Sequence, residues 1–223
     1  MNPNYYSEQL NATRLRRCYE VSPPRVQQFL EAEIEFVLGR INEGDMVLDL
    51  GCGYGRVAHR LIEKADRIVG IDISPDNIRL AKELYQSGSC RFYTMDAINL
   101  SFDDDQFDVT LCLQNGISAF KVDPHALVKE ALRVTRPGGI LLFSSYSGKF
   151  WDERLRWFEI QANEGLIGEI DYNLTTPGTI ICKDGFKAVT YSADDFLKLA
   201  AEFDVEAKIT EVDGSSMVCE MGK

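Results

Sequence analysis

The sequence predicts an α/β protein in which a mainly parallel sheet carries helices on both faces. Three observations predict it. Between Met46 and Ser145, short apolar runs alternate with segments of helical periodicity. The first run, Met46 to Leu50, leads straight into glycines at Gly51, Gly53 and Gly55 and then into a helix-capable segment. Polar groups recur at or near the ends of the runs, at Asp49, Asp72, Asp96 and Asn115, and a parallel sheet brings strand ends to one rim.

The elements follow in order. Residues Met1 to Ser22 are polar and aromatic and include the basic cluster Arg14, Arg16 and Arg17. Pro23-Pro24 opens a helix with Ser22 as its expected cap, and Val26, Phe29, Leu30, Ile34, Val37, Leu38 and Ile41 mark its buried face. Met46 to Leu50 is the first strand and Arg56 to Lys64 a helix. Arg67 to Ile73 is the second strand, and Ser74-Pro75 caps and starts a helix to about Gln86. Arg91 to Met95 and Phe107 to Leu113 are the third and fourth strands, with Asp103 to Asp105 in a solvated loop between them. Asp123-Pro124 opens a helix with His125 in its first turn. Arg136-Pro137-Gly138-Gly139 reads as a turn, and Ile140 to Ser145 as the fifth strand.

The pattern changes after Ser145. Lys149 to Glu164 reads as a helix. Glu169 to Leu174, Thr179 to Cys182 and Lys187 to Tyr191 read as antiparallel strands, the last two joined by a turn at Lys183 to Phe186. Ser192 caps a helix to Phe203, and Val205 to Val212 with Ser216 to Met221 makes a closing hairpin around Asp213-Gly214.

Composition narrows the function. A net charge of -11 argues against nucleic acid as the main partner, because phosphate binding needs a basic face. No apolar run reaches the ~20 residues of a membrane span, and the first residues carry no basic-then-apolar leader pattern. The expected location is therefore the cytoplasm. The six cysteines form no C-x-x-C pair and there are two histidines, so no metal site is expected and the thiols read as small buried groups.

The glycine turn carries the chemistry. Its free N–H groups and the following helix dipole favour a polar ligand close to the main chain. A dinucleotide fingerprint needs G-x-G-x-x-G, but Arg56 stands where its third glycine belongs. Asp49, two residues before the first glycine, suits a ligand bearing an ammonium or sulfonium group better than a pyrophosphate.

VLDLGCGYGR resembles the first motif of the class I S-adenosylmethionine (SAM)-dependent methyltransferases. VGIDIS at 69–74 resembles the second motif, MDAINL at 95–100 the adenine-binding motif, and FDVTLCLQNGIS and RPGGILLFSSY the fourth and fifth strand motifs. The resemblance covers roughly Glu31 to Ser145 and the closing hairpin. It implies a Rossmann-like, mainly parallel seven-stranded sheet with a C-terminal antiparallel hairpin and a small antiparallel insertion after the fifth strand. It also implies a single methyltransferase domain over 1–223. Residues 1–44 would form a helical cap, 45–148 the cofactor-binding core, 149–191 a substrate cover and 192–223 the closing helix and hairpin.

The resemblance further implies site residues. Asp72 would bind the ribose hydroxyls beside Ile73, and Asp96 and Ala97 the adenine. Asp49, Gly51, Cys52 and Gly53 would surround the amino-acid end, and Leu113 would lie beside the cofactor. Arg25 would meet the cofactor carboxylate, with Tyr5 or Tyr6 closing over it. QNGI at 114–117 is similar to a stretch of glycine and sarcosine N-methyltransferases, which assigns Asn115 to the acceptor; Tyr146 is the second expected acceptor-binding residue. In that group the position of Gly116 holds a serine, and its acceptor-binding arginine has no match here.

The expected reaction is methyl transfer from SAM, yielding S-adenosylhomocysteine, to a small-molecule acceptor, nitrogen ahead of oxygen, without a metal, by a monomer or homodimer. No catalytic base is assigned. Two alternatives stand beside it: methylation of a protein or peptide, and a SAM-binding module without catalysis.

Overall fold

The structure, a computed structural model, describes Tyr5, residues 9–85 and residues 87–223. Tyr6, and Gln86 at the expected helix end, lie outside the described residues.

Among the described elements, α1 over Ala12–Glu20 and α2 over Pro24–Leu38 precede the sheet. The first is not apparent in the sequence, because its apolar positions are few and interleaved with Arg14, Arg16 and Arg17. Ser22 is not the cap of α2. Its hydroxyl donates back to Tyr19 O at 2.6 Å, and Pro23 is the N-cap residue.

β1 (Met46–Leu50) is followed by α3 (Arg56–Leu61), β2 (Arg67–Asp72), α4 (Pro75–Tyr85) and β3 (Cys90–Thr94). Ser74 Oγ accepts from Asn77 N at 3.3 Å, the expected cap of α4. β4 (Phe107–Cys112), α5 (Gly116–Ala119), α6 (Pro124–Val134) and β5 (Thr135–Tyr146) complete the core.

The R-P-G-G segment lies inside β5 and is not a turn before it. The β4–β5 register shifts between Phe107 and Val109, and Gly138 takes φ +79° there. A Cβ on Gly139 would come within 2.7 Å of Asp108 O, so glycine lets the two backbones close across the irregularity.

Beyond β5, a short 3₁₀ turn leads into α7 (Trp151–Asn163), then the hairpin β6 (Thr179–Ile181) and β7 (Lys187–Val189). The expected strand over Glu169 to Leu174 reduces to one bridge, Ile170 to Cys182, and the chain turns through Asp171 to Thr175 instead. α8 (Ala193–Ala201) starts with a capping box between Ser192 and Asp195, and β8 (Ala207–Val212) and β9 (Ser216–Gly222) end the chain.

Among the described residues the main sheet has seven strands in the order β3-β2-β1-β4-β5-β9-β8. Neighbours from β3 to β5 are parallel, and β9 pairs antiparallel with both β5 and β8. Strand order reverses between β1 and β4, which opens a crevice at their carboxyl ends.

Three buried clusters hold this frame. One packs α2, α3 and α4 on one face of the sheet, and a second packs α6 and α8 on the other. The third meets the sheet only at Tyr146, the last residue of β5. It joins Leu10, Cys18, Phe29, Trp157, Ile180 and Phe186, so the N-terminal helices and the segment after β5 bury one another above the crevice.

Candidate functional site

The crevice at the switch point is a cavity of about 370 Å³. Its floor is the glycine turn. Gly51 has φ +70°, and a Cβ there would collide with the ring of Phe120. The turn therefore needs glycine for its backbone and for the room it leaves. Cys52 N donates to Ile71 O at 2.8 Å, which ties the turn to β2.

Three acids line the cavity. Asp49 is 3% exposed, and its Oδ2 is buried with no hydrogen-bond partner among the described residues. Burial pushes its carboxyl up to about 7. Arg56 opposes that rise and Asp72 adds to it. An orphaned buried carboxylate oxygen is costly unless a ligand cation meets it.

Asp72 is held by three donors. Gly53 N reaches Oδ2 at 3.0 Å, while Ser74 N and Asn77 Nδ2 reach Oδ1 at 2.8 and 3.1 Å. Burial raises its pKa, and these donors pull it back. A carboxylate offers about four lone-pair sites, so roughly one is left for a ligand hydroxyl. Asp72 thus also braces the start of α4. Asp96, the third acid, lines the cavity with Ala97, and its Oδ1 accepts from Ile98 N at 3.1 Å.

Gly51, Cys52, Gly53, Ile73, Leu113 and Tyr146 line the same cavity, so the structure brings ten of the twelve sequence-assigned positions together: these six, the three acids and Ala97. Two are elsewhere. Arg25 does not reach the cavity. Its Nη1 donates to Asp213 Oδ2 at 2.6 Å and its Nη2 to Asp213 O at 2.8 Å, tying α2 to the β8–β9 turn. Asn115 is buried and spent on structure. Its Nδ2 donates to Val189 O at 2.9 Å and its Oδ1 accepts from Ser145 Oγ at 2.7 Å. Tyr5 is not a lining residue. Its hydroxyl donates to Asp184 at 2.6 Å and its ring meets Phe186 edge-on.

The reason Asn115 turns away is local. Gln114 and Asn115 both have positive φ, 53° and 63°, so the chain reverses at the end of β4 and presents Gln114 instead. Gln114 Oε1 accepts from Tyr19 OH at 2.8 Å, while its Nε2 is buried with no partner among the described residues.

Arg56, noticed in the sequence only for breaking a glycine pattern, is the cation that Arg25 is not. Its guanidinium stands 4.8 Å over the Tyr19 ring, it lines the cavity, and its Nη2 is buried and unpartnered among the described residues. Behind them Glu33 is fully buried on α2, and Ser216 Oγ donates to it at 2.6 Å. Burial raises its pKa, against the pull of its hydrogen bonds and of Arg56.

Three residues lining the cavity thus carry unmatched buried atoms, the donors Arg56 Nη2 and Gln114 Nε2 and the acceptor Asp49 Oδ2. That set complements a zwitterion, an ammonium beside a carboxylate. Along the same floor Asp72 and Asp96 can meet hydroxyl and amino donors. The residues present therefore fit an amino-acid-bearing nucleoside such as SAM.

Comparison with known proteins agrees. Residues 47–139 match the family model described as "Methyltransferase domain". The chain is 33% identical over 150 residues to the 2-methyl-6-phytyl-1,4-hydroquinone methyltransferase of Synechocystis sp., covering 59% of this chain and 46% of that protein. It is 28% identical over 130 residues to a ubiquinone biosynthesis O-methyltransferase of Idiomarina loihiensis, covering 57% and 50%. The chain spans about half the length of these curated relatives. A crystal structure of a SAM-dependent methyltransferase from Methanosarcina mazei superposes with a TM-score of 0.62 at 21% identity, over 84% of this chain and 96% of that one, which shows the shared fold.

Proposed function

We propose that the chain, whose residues 47–139 match a methyltransferase domain family model, is an enzyme transferring the methyl group of SAM to a small-molecule acceptor. The observation that carries this is Asp49, whose buried Oδ2 lies unpartnered on the same floor as Asp72 and Asp96. When bound, SAM supplies a sulfonium methyl, whose carbon–sulfur bond breaks with its pair to sulfur as an acceptor lone pair bonds to carbon.

The chain's residues bind, orient and exclude water. Asp49, charged, pairs with the ammonium of the amino-acid end. Arg56 and Gln114 donate to its carboxylate, in the role expected of Arg25. Asp72 accepts from the ribose, and Asp96 with Ala97 holds the adenine edge. Such a transfer depends mainly on alignment and desolvation, and the roof over the crevice supplies the dry surroundings.

For the acceptor atom, oxygen moves ahead of nitrogen. Asn115, which supported an amino-acid acceptor, is engaged by Val189 and Ser145, and the similar curated relatives are named for a hydroquinone and for an O-methylation.

Thermal shift against SAM, S-adenosylhomocysteine and NAD tests the reading. SAM and its product should raise Tm and NAD should not, and Asp72→Ala should abolish the rise. Stabilisation by NAD alone would overturn it.

A further inference from the structure

The roofed end of the cavity is left over once the floor is assigned to the cofactor. Its walls come from α1, α2, the end of β5 and α7, and include Tyr19, Phe29, Tyr146, Trp157 and Phe158. Trp157 Nε1 donates to Cys18 O at 2.9 Å, which satisfies its polar edge and leaves an aromatic surface toward the cavity.

One amide interrupts that surface. Gln161, on α7, lines the cavity and is 3% exposed, and its side chain makes no hydrogen bond among the described residues. A buried primary amide has two donors and an acceptor to satisfy. Three of the aromatic rings are already engaged by cations, Phe158 among them with the Arg154 guanidinium 5.6 Å from its centroid. The Arg56 guanidinium stands 4.8 Å from the Tyr19 centroid, and that of Arg154 stands 4.2 Å from the Tyr146 centroid. An ammonium acceptor would find those faces taken and the Arg56 charge beside it.

Resting on the methyltransferase reading, we infer that the roofed end is the acceptor subsite, that it takes a flat ring bearing a hydroxyl group, of the phenol or hydroquinone class, and that the Gln161 amide orients that ring by hydrogen bonding. A ring face stacks on Trp157, and the Gln161 amide hydrogen-bonds the ring hydroxyl. Transfer forms an oxygen–carbon bond as the carbon–sulfur bond breaks with its pair to sulfur, and the hydroxyl proton passes to water. Burial pushes the Tyr146 hydroxyl up to about 12, so it remains a donor and not a base.

The test uses the full chain with 2-methylhydroquinone and 4-methylphenol as ring probes and with glycine and benzylamine as amine probes. In a Trp151→Phe background the ring probes should quench the fluorescence of Trp157, and with labelled SAM they should take up the methyl group while the amines do not. Gln161→Leu should raise KM for 2-methylhydroquinone about tenfold, with kcat and the SAM Kd little changed. Labelled amines with inert, non-quenching ring probes would overturn the inference and leave the methyltransferase reading standing. An unchanged KM in a folded Gln161→Leu would remove Gln161 from its role. If that variant does not fold, quenching and labelling of the unsubstituted Gln161 site decide. Failure of the wild type to bind SAM would instead overturn the reading beneath it.

Discussion

Asp49 shows how a residue can be costly to the fold and useful to the site. Its folded pKa of about 7 lies well above the ordinary carboxyl value, so the folded state holds the proton longer than the unfolded one. This contribution to stability is therefore present at low pH and is lost as pH rises toward and through 7. The buried Glu33 and Asp72 shift in the same direction. Asp49→Asn should raise the Tm of the ligand-free protein at pH 8 by about 2–4 °C, equivalent to ~1 kcal/mol. The same change should weaken SAM binding, because the ammonium loses its counter-charge. In the wild type, SAM affinity should fall roughly tenfold from pH 8 to pH 6 as Asp49 takes up its proton, and Asp49→Asn should flatten that profile. Calorimetric titration at several pH values checks both. A pH-independent Kd in the wild type would deny Asp49 this role. The residue scale is also where the sequence was least legible. Arg56 and Gln114 were visible as letters, but their unpartnered nitrogens became apparent only when burial was known.

At the scale of elements, the glycine turn and the end of α5 act as one unit. Gly51 has room only because it lacks a Cβ where the Phe120 ring lies, and its φ of +70° disfavours any L side chain. Gly51→Ala should cost about 1–2 kcal/mol in urea unfolding from backbone strain alone, plus the displacement of Phe120. Adding Phe120→Ala should relieve the steric part and leave the backbone part, so the double variant should be less destabilised than the sum of the singles. Strict additivity would mean that the ring moves aside freely. Element types were largely readable, since strand–turn–helix periodicity depends on neighbours in sequence. The failures have local causes. α1 has few apolar positions among its arginines and is held by contacts made far along the chain. The bulge in β5 is set by pairing with β4, and the Glu169–Leu174 segment lacks a partner beyond one bridge.

For the whole molecule, the N-terminal segment is a strap across the crevice. Arg14 Nη2 donates to Gly165 O and Leu166 O, both at 2.8 Å, and Arg17 pairs with Glu164 at 3.0 Å. Ala12 N donates to Asn77 Oδ1 at 2.6 Å, and Asn77 in turn holds Asp72. A ligand hydroxyl on Asp72 would therefore steady the strap through Asn77. SAM should slow amide exchange across residues 12–20, and Asn77→Ala should remove that effect while exchange in β1 and β4 stays slow. Equal protection in the variant would sever the link. By itself the sequence determined the alternation of strands and helices, the closing hairpin, and the row of acids at strand ends, because period and turn chemistry are local properties of the chain. Tertiary structure decided that Arg56 and not Arg25 lines the cavity, which side of the Gln114–Asn115 reversal meets it, and what forms its roof. Those depend on backbone reversals and on contacts between segments more than a hundred residues apart, such as Trp157 with Cys18, which no local pattern encodes.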